Sequence, residues 1–339
     1  MSGLPSPLLH VGYHKTGTTW LQETIFARPE TGFHTAWPDR RMLVEEIVLA
    51  NELLWDPELA ASRLEASRVP GPPGTPRTPA DAALVPVLSH ERLGGNPHSG
   101  GHDSLAIARR LQRLFPDAKV LLVVREQRSM IASWYVQHVR EGGVSSLREF
   151  LRPIEPGTGR IPRFDPRYFE FDHLARAYRE LFGADRVLVL PYEWLRAEPE
   201  AFVARIREFA GCPGPMPRLD LHRRHASMSA AATALSRWTN RLLVRNVVNP
   251  SPLLGGVLEG HRNTAAGRML DRILPRSIMN LGGAGRRRIL DTFAAGRYEQ
   301  SNARLQACCE RDLRSLGYAM AGLVDEPATA TRPPRTAAS

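Results

Sequence analysis

The chain has 339 residues, room for one large domain or two small ones, and its 42% hydrophobic and 24% charged residues are those of an ordinary globular protein. No stretch approaches the roughly eighteen consecutive apolar residues of a membrane-spanning helix, no signal peptide is expected in MSGLPSPLLHVGY, and three cysteines do not make a disulfide framework, so a reducing cytoplasm is the expected setting. A formal charge of +10 asks for an anionic partner without saying which: nucleic acid, anionic lipid, a phosphorylated cofactor or an acidic glycan.

In chain order, LLHVG (8–12) is an apolar run closed by Gly12 and predicts a buried strand. Trp20, Leu21, Ile25 and Phe26 then predict a helix from Thr18 to Phe26. Strand, glycine-containing loop and helix together aim backbone N–H groups and a helix N-terminus at a phosphate. A helical stretch follows over Arg41 to Leu54, and VPGPPGTPRTPA (69–80) reads as an exposed Pro/Gly-rich loop. ALVPVLS (83–89) predicts the next strand. HDSLAIARRLQRLF predicts a helix with Leu105, Ala108, Leu111 and Phe115 on one face, capped by Asp103 or Ser104. AKVLLVV (118–124) is the clearest buried strand and runs into the helix REQRSMIASWYVQHVR. FDHLARAYRELFG is helical up to Gly183, RVLVLPYEWL holds another strand, and PEAFVARIREFAG another helix.

This alternation predicts an α/β domain with a mostly parallel central sheet flanked by helices and a P-loop-like strand-loop-helix. Beyond about residue 220 the pattern turns helical, in SAAATALSRWTNRLLVRNVV and RRRILDTFAAGRYEQSNARLQACCERDL. The expected organisation is a single domain over 1–320 with a polar, Pro-rich, disordered tail over 323–339.

The loop HKTGTTWLQ differs from that of nucleotide hydrolases, which ends in Gly-Lys-Ser/Thr. Here Lys15 stands two residues before Gly17, and Thr18 and Thr19 follow. Lys15 and Lys119 are the only lysines in a chain whose other cations are arginines, a bias that suits a GC-rich genome. A lysine kept against that bias is informative, because the planar fork of arginine does not replace a compact ammonium at a crowded phosphate bridge. A P-loop kinase needs Mg²⁺ held by the loop hydroxyl and by an acidic residue ending a second strand. KVLLVV ends instead in Arg125, which favours a phosphate with no metal. The kinase stays as a rival reading, beside a non-catalytic nucleotide- or polyanion-binding protein.

Four stretches resemble the sulfotransferases that use 3′-phosphoadenosine 5′-phosphosulfate (PAPS). HKTGTTWLQ is similar to their 5′-phosphosulfate loop, and VVREQRSMIASW to their 3′-phosphate element, an arginine at a strand end with a serine eight residues on, here Arg125 and Ser133. VLVLPYEWLRAEPEAFVARIREFAG is similar to the later strand–Tyr-Glu–helix segment, and FAAGRYEQSNARL to the closing helix. The resemblance implies that backbone N–H groups and hydroxyls around Thr16, Gly17, Thr18 and Thr19 hold the 5′-phosphate, and that Lys15 sits on the bridging oxygen. It further implies that Trp20 stacks on the adenine, with Tyr192 near it, and that Arg125 and Ser133 take the 3′-phosphate. No metal is implied, and no His/Cys/Asp grouping has metal-ligand spacing.

Transfer to a hydroxyl needs a base. In the cytosolic branch of the family a histidine follows the second of these strands, and His90 occupies that place; Glu91 is the alternative, with Glu45 and Glu46 behind it. His98, His102 and His138 are expected to be surface or loop histidines. The acceptor is expected between the loop 28–44, with His34, Trp37, Arg40 and Arg41, and LGGNPHSGGHD. A glycan, glycolipid or small molecule bearing a hydroxyl suits that wall. SRWTNRLLVRNVV (236–248) is basic and amphipathic, and reads either as an ordinary packed helix or as a surface lying on an anionic membrane. Nucleic-acid binding is not expected, for the arginines are spread without a stripe or interleaved aromatics.

Overall fold

The computed structural model describes residues 6–70, 84–152, 164–212, 214–215, 217–219, 228–246, 249–254, 258–259 and 282–321. Its centre is a sheet of strands β1 (Leu8–Gly12), β2 (Phe33–Thr35), β3 (Val85–Ser89), β4 (Lys119–Val124) and β5 (Val187–Pro191). All neighbours are parallel and the order is β2-β3-β1-β4-β5. Parallel strands covered on both faces are apolar throughout, and every residue of β1 and β5 is buried. Side chains alternate between two cores, as strand geometry requires. Leu9, Val11, Leu122 and Val124 face one, while Leu8, Leu121, Val123 and Leu190 face the other.

The order places β1 between the strand pairs reached by leaving it in opposite directions. Around such a switch point the connecting loops part, and a crevice opens at the C-terminal strand ends. The loop 13–17, the turn after β3 and the start of the helix after β4 all lie at that edge.

The helix after β1, α1, is α-helical over Thr18–Trp20 and widens to i→i+5 turns over Leu21–Phe26, with Ala27 N–H on the Gln22 carbonyl at 3.0 Å. The other helices are α2 (Arg40–Leu43, continued in wider turns over Val44–Val48), α3 (Pro57–Ser67), α4 (Ser104–Leu114), α5 (Gln127–Arg140), α6 (Leu147–Phe150), α7 (Phe171–Phe182), α8 (Tyr192–Ala197), α9 (Pro199–Ala210) and α10 (Ala230–Leu243). Two more, α11 (Gly283–Ala294) and α12 (Glu299–Gln306), come last. No helix among the described residues is long and apolar enough to cross a membrane.

Several expectations change. The loop 28–44 contains the short edge strand β2, recruited by pairing with β3 rather than by any alternation of its own. The helix expected over Arg41 to Leu54 starts at Arg40, where Asp39 accepts from the Arg41 and Met42 N–H groups, and ends by Val48. In α4, Leu105 is exposed and Ile107, Ala108, Leu111 and Leu114 form the buried side. Asp103 precedes α4 without capping it, because its carboxylate accepts from Asn96 N–H and Arg92, while the Ser104 hydroxyl donates to the Gly94 carbonyl. The last helical stretch is two helices, parted at Gly296, whose φ of 68° ends α11. Residues 71–80 of the Pro/Gly-rich loop and the tail 323–339 lie outside the described residues.

Helix α12 closes the domain. Ser301 and Arg304 both bind the Asp172 carboxylate of α7. Asn302 Nδ2 donates to the Ala319 carbonyl at 2.9 Å and its Oδ1 accepts from Gln127 Nε2 at 2.6 Å, which ties the C-terminal segment to the first turn of α5.

Candidate active site

The loop after β1 is anchored before it turns. Tyr13 is buried against Tyr168 and Phe171, with ring centroids 5.2 and 4.7 Å away. Thr16 donates to the Tyr13 carbonyl at 2.6 Å, so its hydroxyl braces the loop from inside. Lys15 and Gly17 take φ of 70° and 83°, the left-handed region, and Lys15 is the sole non-glycine to do so among the described residues. Left-handed residues in a tight turn bring successive N–H groups to one side, and the first N–H groups of the following helix have no intrahelical acceptor. Together they give the loop a form that suits an anion.

Two glycines are needed here. A Cβ on Gly12 would stand 2.8 Å from Thr18 Oγ1 and 3.1 Å from His10 Nε2. A Cβ on Gly17 would meet Leu195 and the Tyr192 ring at 3.0 Å, on a backbone that already disfavours side chains. Tyr192 is therefore packed on the loop itself. Trp20 and Tyr192 both lie half-buried against the core formed by Leu21, Ile25, Leu190 and Leu195. Thr18 is buried with its hydroxyl unpartnered, whereas Thr19 is exposed at the helix start.

Two cations converge on the loop. Arg125, the residue after β4, donates from Nη1 to the Lys15 carbonyl at 2.8 Å and from Nε to Ser129 Oγ at 3.0 Å, and its guanidinium lies 4.9 Å from the Tyr192 ring centroid. Glu193 sets this arrangement by accepting the Glu126 N–H at 3.1 Å and the Tyr318 hydroxyl at 3.0 Å, which pins α8 to the start of α5. Lys15 Nζ donates to Gln137 Oε1 at 2.9 Å, and Gln137 Nε2 donates to Glu141 Oε1 at 2.8 Å. Among the described residues neither cation has a carboxylate within ion-pair distance. Burial lowers the pKa of both, with the Arg140 charge adding to the effect at Lys15. Lys119 has a different part to play: it donates to the Phe209 carbonyl at 2.7 Å and braces β4 against α9.

The serine that accepts from Arg125 is Ser129. Ser129, Ser133 and Gln137 recur every four residues and so share one face of α5. Ser133 is one turn further along, between the serine that holds Arg125 and the glutamine that holds Lys15. Sequence reasoning did not single out Ser129 or Gln137. Their one-turn spacing from Ser133 was the available signal.

After β3, His90 and Glu91 stand beside each other at the mouth. His90 Nδ1 accepts the Arg92 N–H at 3.0 Å, which puts the proton of the neutral ring on Nε2. Burial lowers its pKa and favours that neutral form. Burial pushes the Glu91 carboxyl up, but His90, its own N–H and Arg40 outweigh this and hold it below the usual range. Arg40 spans both Glu91 oxygens at 2.8 and 2.6 Å and also donates to Gln22 Oε1 at 3.2 Å. Glu45 and Glu46 are engaged elsewhere, with Arg41 and Arg63 at 2.7 Å each.

Trp37 does not wall a site. It is 1% exposed, donates to the Leu64 carbonyl and packs edge-on against Phe115. His138 is also misplaced by the sequence reading, because it sits on α5 with both ring nitrogens buried, 4.8 Å from the Phe150 ring, and burial lowers its pKa to about 4. His98 and His102 are exposed, as expected. His14, beside Lys15, escaped notice: its Nδ1 is buried without a partner, and burial lowers its pKa to about 4.

A parallel sheet with a phosphate-type loop at its switch point is the P-loop-like α/β class. The chain matches the sulfotransferase domain family over residues 5–242, and it belongs to that family. Among solved structures it is similar to a sulfotransferase from Alicyclobacillus acidocaldarius, at 19% identity and a TM-score of 0.45, covering 65% of this chain and 87% of that one. It is also similar to the sulfotransferase domain of the curacin biosynthetic pathway, at 13% identity over 85% and 97% of the two chains with a TM-score of 0.34. A sulfotransferase domain from the Synechococcus PCC 7002 olefin synthase is similar at 14% identity over 80% and 96%, with a TM-score of 0.28. No curated protein gives a significant sequence match.

Proposed function

We propose that this sulfotransferase moves the sulfuryl group of PAPS to a hydroxyl of a glycan or glycolipid. One observation carries the reading: Lys15 and Arg125 are half-buried cations that meet at one loop and, among the described residues, have only neutral oxygens as hydrogen-bond partners. A buried charge without a counter-charge is costly, and an arriving anion removes that cost. A donor with a phosphosulfate and a separate 3′-phosphate offers one anion to each. The loop N–H groups take the 5′-phosphate, and Trp20 and Tyr192 border the adenine. Ser133 lies between the two cations along α5.

In the transfer, the acceptor oxygen bonds to sulfur as the bond from sulfur to the bridging oxygen breaks. Charge builds on that oxygen, so a Lys15 ammonium released from Gln137 stabilises the transition state more than the ground state. The acceptor proton passes to Glu91. His90 in its resting tautomer has a proton to give at Nε2 and no lone pair there, while Glu91 has only lone pairs. An acceptor that draws Arg40 away raises the basicity of Glu91. Arg40, Glu91 and Arg92 give the mouth the hydrogen-bonding character that suits a sugar.

Calorimetric titration with adenosine 3′,5′-bisphosphate, AMP and ATP, with and without Mg²⁺, tests the donor. The bisphosphate is expected to bind without Mg²⁺ and at least roughly thirtyfold more tightly than AMP. Binding of ATP with Mg²⁺ but not of the bisphosphate would put the kinase reading first. For the base, Glu91→Gln is expected to lower kcat by about a hundredfold or more with bisphosphate affinity unchanged, and His90→Ala by less. The reverse order would make His90 the base, after loss of its bond from Arg92 N–H.

A further inference from the structure

Helix α10 is inside out. Its buried residues are Ala232, Thr233, Ser236 and Asn240, mostly small or polar, and Asn240 Nδ2 spends its hydrogen bonds on the Val139 and Gly143 carbonyls of the α5 end. The opposite side carries Leu235, Trp238 and Leu242, at spacings of three and four residues that put them on one stripe. Trp238 is 58% exposed. The stripe continues off the helix, since Leu253 N–H and Leu254 N–H bond the Arg241 and Leu242 carbonyls at 3.0 and 2.9 Å, and these leucines are 66% and 60% exposed. Arg237 and Arg241, one turn apart, flank the stripe, and Arg245 follows at the end of α10. Glu149 of α6 lies within the field of Arg237 and Arg241, and Arg245 pairs along its short strand with Glu259, so two acids face three arginines among the described residues.

A helix that buries its polar residues and exposes tryptophan and leucine is not explained by packing among the described residues. Tryptophan and leucine beside arginines suit the boundary between acyl chains and anionic headgroups. We propose that the face formed by Leu235, Trp238, Leu242, Leu253 and Leu254 with Arg237, Arg241 and Arg245 docks this protein on an anionic lipid bilayer. The charge decides the occupant, because three arginines flanking an apolar stripe on a chain of formal charge +10 complement an anionic surface and would repel a second copy of the same face. Docking does not depend on which hydroxyl is sulfated. On the function proposed above it has a consequence for the acceptor. Helix α10 rests on α5 through Val136, Met228 and Ala232, and Val136 precedes the glutamine that holds Lys15. A lipid-borne acceptor would thus be presented beside the transfer helix.

The test is co-sedimentation of the full chain with vesicles of phosphatidylcholine alone or mixed with phosphatidylglycerol, at low and high salt. Wild type is expected on the mixed vesicles, weakened by salt, and not on the neutral ones. Each arginine near an anionic surface contributes about fivefold, so Arg237→Gln, Arg241→Gln and Arg245→Gln together are expected to weaken binding about a hundredfold. Trp238→Ser is expected to weaken it by about tenfold while leaving bisphosphate affinity and the melting temperature unchanged. Failure to bind mixed vesicles overturns the proposal, as does binding that neither variant weakens. A melting temperature that drops by several degrees in Trp238→Ser would mean that the face is covered by this chain's own residues. A wild-type dimer that Trp238→Ser dissociates would mean that it is covered by a second copy. Either of these outcomes also overturns the proposal.

Discussion

Lys15→Ala is expected to lower sulfuryl transfer by about a hundred- to a thousandfold, the loss seen when one positioned donor to a developing oxyanion is removed. The fold is expected to survive. Position 15 keeps its left-handed φ in the variant, so the backbone strain is the same before and after. The half-buried ammonium, whose pKa is lowered by desolvation, is gone in the variant, and the melting temperature should therefore hold or rise. Lys15→Arg is not expected to rescue, because the fork cannot seat where a single ammonium meets Gln137 Oε1. Single-turnover rates at saturating donor measure the effect, and a rate within tenfold of wild type would remove Lys15 from the chemistry.

Arg125→Met is expected to erase the preference for adenosine 3′,5′-bisphosphate over AMP. A charge-assisted fork on a phosphate is worth about 2 kcal/mol, roughly thirtyfold in affinity, and AMP lacks the group that uses it. Arg125 also holds the Lys15 carbonyl and Ser129 Oγ, so a smaller loss common to both ligands is expected from a loosened loop. Arg125→Lys keeps the charge but loses the second hydrogen bond and the stacking on Tyr192, and should recover little of the preference. Titrating both ligands into both variants separates the roles. Equal losses for the bisphosphate and AMP would make Arg125 a loop prop and leave the 3′-phosphate without its partner.

The two variants probe features that differ in how they are written. The loop is local: Gly12, Lys15, Gly17 and the threonines stand within eight residues, so its turn is written in one short segment. Arg125 is distant but marked, since it ends the most continuous apolar run in the chain. Gln137 carries no such mark. Its bond to Lys15 joins residues 122 apart, and only the parallel pairing of β1 with β4 brings α5 alongside the loop. The bond from Arg125 to Ser129 is likewise unmarked in the sequence, one helical turn before Ser133 on the same face of α5.

Residues that serve the core were the harder ones to place. Trp37 beside two arginines has the composition of a sugar-binding wall, yet β2 joins the sheet edge and carries the chain so that Trp37 turns inward against Phe115. Strand β2 has three residues and no alternation, and it exists because β3 supplies hydrogen bonds to it. His90 was legible as a residue at the mouth, but the nitrogen that holds its proton was not, because that depends on the Arg92 N–H.

The sequence alone determined the alternating α/β class, four of the five sheet strands and the loop with its cations, since continuous apolar runs and short-range turns need no distant information. Tertiary structure alone decided which neutral oxygens the two cations meet, which tautomer His90 takes, and that α10 turns its tryptophan outward. Each of those follows from the partners that the fold brings within hydrogen-bonding reach or leaves absent, and no pattern within a single segment specifies them.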